Sequence, residues 1–110
     1  MSVIEDTLDA LKGEVSQEIR EQLGELLASA ASDTRSIVKD TSAKIAEWIL
    51  MRSQGRLTDE EFEALLYSRD QVLRAHKNTL NIQARARFEK IAVGLVNLVL
   101  DKLVGVAFRK

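Results

Sequence analysis

Along residues 4–27 the apolar side chains Ile4, Leu8, Leu11, Val15, Ile19, Leu23, Leu26 and Leu27 recur at steps of mostly three and four, while Glu5, Asp9, Glu14, Glu18, Glu21 and Glu25 fill the other faces. That period gathers the apolar set into one stripe of an α-helix and predicts a first helix over about residues 3–31. The stripe is narrow, closer to a coiled-coil seam than to the broad face of a globular helix, so it requires a partner helix along most of its length. The polar run SAASDTRS then predicts a turn or kink, with Ser32, Asp33 or Thr34 placed to cap the next helix. Because the run holds no Gly or Pro, a helix passing straight through is the alternative. A second helix over about residues 34–53 turns Val38, Ile45, Trp48, Ile49 and Met51 inward, with Trp48 as a core anchor.

The next stretch, GRLTDEEF, carries the sharpest local signal. Gly55 suits the left-handed conformation that ends a helix, and Thr58 with Glu61 has the spacing of a capping box. Leu57 and Phe62 occupy the two positions of a hydrophobic staple, and Asp59, Glu60 and Glu61 stand in the first turn, where the helix dipole favours negative charge. The string resembles the Gly-x-Leu/Ile-Thr-x-Glu-Glu-Phe turn of short helical-hairpin modules, some of them bacterial oligomerisation modules. The likeness implies a hairpin at this point and transfers no family.

From Thr58 onward an apolar stripe runs through Phe62, Leu66, Leu73, His76, Leu80, Ala84, Phe88, Ile91, Leu95, Leu98 and Leu103, weakened only around HKNTLN. Unbroken, this third helix over about residues 58–108 would be on the order of 75 Å long at ~1.5 Å per residue. Its last part, IAVGLVNLVLDKLVGVAF, is apolar on most sides, with a polar and small strip of Lys90, Gly94, Asn97, Asp101 and Gly105. Such a helix must be surrounded, and two narrow amphipathic helices do not suffice. Other copies of the chain are expected to complete the enclosure, with Phe88, Ile91, Leu95, Asn97, Leu98, Val99, Leu103 and Val106 at the interface and Asn97 fixing register. Association is then tied to folding. A membrane span is disfavoured, since Asp101 and Lys102 would each cost roughly 2.5–3.5 kcal/mol near the bilayer centre.

Composition sharpens the fold class. With no proline, five glycines and 5% aromatics in 110 residues, little interrupts helices or favours strands. An all-α fold is the result: one domain over residues 1–110, an elongated bundle of about three helices per chain with the long C-terminal helix in an oligomeric core. The absence of cysteine removes disulfides, thiolate nucleophiles and sulfur-ligated metals. Glu5 and Asp6 stand where a secretory leader would be basic and then apolar, which predicts a cytoplasmic location.

Charge is balanced overall, with 16 basic against 17 acidic residues, so the chain lacks the footprint of a nucleic-acid binder. It is not balanced locally. Residues 1–25 carry seven acids against Lys12 and Arg20, whereas residues 69–110 carry nine bases against Asp70, Glu89 and Asp101. The acidic first helix is therefore expected to pack beside the basic last one.

Candidate chemistry is thin. His76, the single histidine, has no carboxylate three or four residues away to orient its ring as a base, and is read as a polar residue at the edge of a helix seam. Asp59, Glu60 and Glu61 point in different directions on a helix and are explained by capping, so no metal site is assigned to them. No glycine-rich phosphate loop or zinc-ligand spacing is present. The reading is a homo-oligomeric structural or protein-interaction module without catalysis or cofactor, whose partners are itself and another protein. Its alternative is a membrane-surface protein that exposes the apolar C-terminal helix to lipid.

Overall fold

Helix-capping residues divide the chain into more pieces than its apolar period shows. The computed structural model describes residues 3–104, so Val106, placed at the interface above, and the neighbouring Gly105 lie outside the described residues. Within them the chain is all-helical: α1 is Val3–Ala10, α2 Gln17–Ala31, α3 Ser36–Ser53 and α4 Asp59–Lys77. The last helix, α5 (residues 82–104), is one continuous helical run. Ile82–Phe88 and Gly94–Val99 are α-helical in it, whereas Glu89–Val93 and Leu100–Val104 take the wider π-helical geometry. Five helices replace the three expected.

The first helix breaks between α1 and α2. Gly13 adopts φ +86°, a left-handed conformation that L side chains resist, and Ser16 starts α2 by accepting a hydrogen bond from the Ile19 amide at 3.2 Å. The acidic and apolar spacing continues across this turn, which is why periodicity alone reads through it. The expected turn after Ala31 is present, but α3 begins at Ser36 and its N-cap, Arg35, makes no side-chain cap bond. Asp33 instead accepts the Arg35 amide at 2.8 Å, holding the turn one step earlier. The long C-terminal helix is broken too. Thr79 turns back to the His76 carbonyl through both its amide and its hydroxyl, and Asn81 caps α5 by accepting from the Ala84 amide at 2.9 Å.

The α3–α4 turn forms as its sequence predicts. Thr58 Oγ1 accepts from the Glu61 amide at 3.1 Å while the Glu61 carboxylate accepts from the Thr58 amide at 2.9 Å. Gly55, at φ +75°, closes α3: its amide donates to the Arg52 carbonyl and that of Arg56 to the Met51 carbonyl, satisfying two otherwise free acceptors. Phe62 is fully buried and Leu57 packs half-buried against the same core.

These turns fold the rod back on itself. The radius of gyration is 13.5 Å and the extents are 39 × 29 × 22 Å, close to the ~13 Å of a compact domain this long and unlike the elongated bundle expected. The core joins Leu11 of the α1–α2 turn, Leu23 and Leu27 of α2, Ile45 and Ile49 of α3, Leu66 and Leu73 of α4, and the inner face of α5. Trp48 packs on its edge. Ser42 donates to the Leu27 carbonyl at 2.9 Å, joining α3 to α2 without leaving a buried hydroxyl unpaired.

Arg52 ties three elements at one end. Its guanidinium meets Glu14 from the α1–α2 turn at 2.6 Å and Asp59 at the start of α4 at 3.0 Å, and lies 5.6 Å from the centre of the Phe62 ring. The hydrogen bond to Glu14 raises the Arg52 pKa above its ordinary value, against the opposing pull of partial burial.

Two substitutions test these local devices by thermal or denaturant unfolding. Thr58→Ala is expected to cost about 1 kcal/mol by removing the cap. Arg52→Met keeps the aliphatic bulk but leaves Glu14 and Asp59 without their shared cation, and is expected to cost about 2 kcal/mol.

Candidate functional site

The residues expected to meet other copies divide sharply by environment. Phe88, Leu95 and Val99 are at most 1% exposed within the single chain, and Ile91 and Leu103 are also buried. They form part of the core of the single chain. Three helices of the same chain, α2, α3 and α4, pack against α5, one more than the periodicity indicated. Asn97 lies exposed and Leu98 half-buried. These two remain available at the surface.

The π-helical stretches help α5 bury so much. A π turn takes about one residue more than an α turn, so side chains five apart across it return to the same face. Phe88 and Val93 bracket the first such stretch and Val99 and Val104 span the second, all four buried.

Beside Asn97 and Leu98 runs an open groove between α2 and α5, about 1150 Å³ in volume. Leu26, Ile91, Gly94 and Leu98 supply its apolar or small surface, and Gln22, Glu25, Ser29 and Ser32 form the α2 wall. The opposite wall carries Arg87, Lys90, Asn97 and Asp101. The expected pairing of the acidic N-terminal part with the basic C-terminal part is met here, since α2 packs along α5. One ion pair marks its direction: Arg87 Nε stands 3.5 Å from Asp33 Oδ2 at the C-terminal end of α2. Asp33 is only 3% exposed and also accepts from the Arg35 amide, so this carboxylate joins the α2–α3 turn to the start of α5.

Much of the remaining basic stretch is engaged by single carboxylates. Arg69 reaches Asp40 of α3 at 3.4 Å, Arg74 its own-helix Asp70 at 2.8 Å, and Lys77 reaches Glu89 at 3.2 Å across the α4–α5 turn. His76 lies half-buried at the end of α4 with its ring 5.4 Å from that of Phe88, the helix-seam position expected of it. Among the described residues no three His, Asp or Glu side chains gather in a metal-binding arrangement, and no helix is long and apolar enough to cross a membrane.

A second shallow surface, lined by Val3, Ile4, Ala43, Leu50 and Met51, lies between α1 and α3 and is mainly apolar. Neither surface is visible in the apolar period. The first depends on the α1–α2 break, which sets α2 free to lie along α5; the second depends on α1 folding back on α3. No protein-family model, curated protein or solved structure matches the chain.

Burial makes neighbouring positions on α5 behave differently. Leu95→Ala is expected to cost about 2–5 kcal/mol in unfolding free energy, because a fully buried side chain is truncated. Asn97→Ala, two residues on and exposed, is expected to change it by less than about 0.5 kcal/mol. Denaturant titration of the two variants side by side is the check.

Proposed function

We propose that the chain is a non-catalytic helical interaction module that works as a homo-oligomer, and that the groove between α2 and α5 is its contact surface. The observation that carries this reading is the combination in one groove of a small and apolar floor with charged and polar walls. Interfaces commonly pair an apolar centre with a polar rim that sets register and partner choice. Two of the charged side chains around it already stand in single ion pairs, Arg87 with Asp33 and Asp101 with Lys102. A cytoplasmic setting and a further protein partner belong to the same reading.

The lipid-binding alternative draws less support. The apolar residues of α5 are spent on the chain's own core, so offering them to a bilayer would mean opening that core.

Light scattering at micromolar concentration tests the proposal. The unmodified chain is expected to have the mass of an oligomer. Ser29→Arg sets a long charged side chain on the exposed α2 wall without touching the core, and is expected to keep full helicity while shifting the mass towards that of one chain. Tyr67→Arg, at an exposed site on α4 away from the groove, is expected to leave the mass unchanged. A single-chain mass for the unmodified protein would refute the proposal.

A further inference from the structure

The outer strip of α5 consists of Arg87, Lys90, Gly94, Asn97 and Asp101, which all line the groove and so lie on one side of the helix. Its beginning is basic, its middle is a glycine and its end is acidic. Turned end for end about Gly94, the strip is complementary to itself. Arg87 lies seven residues before the glycine and Asp101 seven after.

Because Asp33, beyond the C-terminal end of α2, reaches Arg87, that helix runs antiparallel to α5. Glu25, eight residues earlier on α2, is therefore level with the middle of the strip, near Gly94. The groove thus has a basic end at Arg87 and Lys90 and an acidic end at Asp101. A twofold rotation lays each end of one copy on the opposite end of another.

Gly94 supplies an independent observation. Glycine is among the poorest helix formers, yet a Cβ built at this position would meet only the Glu89 carbonyl oxygen, at 3.4 Å, which is ordinary contact. Among the described residues, no contact requires a glycine here. What it does provide is a gap in the groove floor where a second helix can approach closely.

Resting on the oligomeric reading above, we propose that the occupant of the groove is α5 of a second copy. It packs antiparallel across a twofold axis at Gly94, with Arg87 of each copy paired to Asp101 of the other. Such a contact is isologous and closes at two chains. Arg87 and Asp101 have contacts within the chain, to Asp33 and to Lys102, but their side chains remain 64% and 60% exposed. Each can still face a partner.

The test exchanges the charges. Arg87→Glu sets two carboxylates against each other at both ends of the homodimer, and Asp101→Arg sets two guanidinium groups against each other. Each variant alone is expected to raise the dimer dissociation constant about tenfold or more. Mixing the two variants makes a heterodimer in which Glu meets Arg at one end and Arg87 meets Asp101 at the other, so tight association is expected to return in the mixture alone. Circular dichroism melts of each variant check that Arg87→Glu, which also faces Asp33, still folds. A second variant needs no charge change: Gly94→Cys, which introduces the only thiol in the chain, is expected to form a covalent dimer rapidly with oxidised glutathione, whereas Gln71→Cys on α4 is not. A dimeric unmodified protein without recovery in the mixture and without cross-linking of the Gly94→Cys variant would overturn this pairing and leave the oligomeric reading standing. A monomeric unmodified protein would overturn both.

Discussion

A helix that is apolar around most of its circumference persists in water only when other surfaces enclose it. In this protein α5 is that helix, and the rest of the fold is arranged around the need to cover it. Phe88, Ala92, Leu95, Val96 and Val99 are each at most 1% exposed. Burying side chains of this size contributes on the order of 1.5–3 kcal/mol each for the larger ones, so losing the cover of even a few would offset the net stability of a typical domain. The turns at Gly13–Ser16 and Asn78–Asn81 make the enclosure achievable, because they convert two long helices into shorter ones that pack from several sides.

How much of this was legible depended on whether a feature was local. The α3–α4 turn could be read because Gly55, Thr58 and Glu61 satisfy one another's backbone groups within a few residues, and no distant contact is needed to decide it. The all-helical class emerged from apolar period and the lack of proline for the same reason. The break at Gly13 was hidden because the apolar steps from Leu11 to Ile19 continue across it; only a glycine followed three residues later by a capping serine marks the turn. The break at Asn81 had a visible trace in HKNTLN, but asparagine and threonine weaken a helix without ending it unless the chain has somewhere to fold back to. With the first break hidden and the second left open, the surface available to cover α5 was undercounted, and the apolar band was assigned to other copies.

That undercount bears on the candidate site. The hydrophobic residues placed at an interface by sequence, such as Leu95 and Val99, belong to the core, whereas the polar members of the same helix, Asn97 with its neighbours Gly94 and Asp101, line the groove. Apolar pattern identifies what must be buried and is silent on whether the same chain or another does it. Association through such a groove would draw on electrostatic complementarity and a close helix approach, so it should weaken as salt screens the charged ends over roughly 10 Å. Folding, in contrast, rests on buried apolar area and should be little affected by salt.

Because α5 is enclosed by its own chain, folding does not wait on association. Circular dichroism at 222 nm combined with light scattering, carried through serial dilution until the mass has fallen to that of one chain, puts this to the test. Helicity is expected to be retained in the single chain, which should still unfold in one cooperative step. Loss of helicity in proportion to dissociation would contradict enclosure by the chain itself.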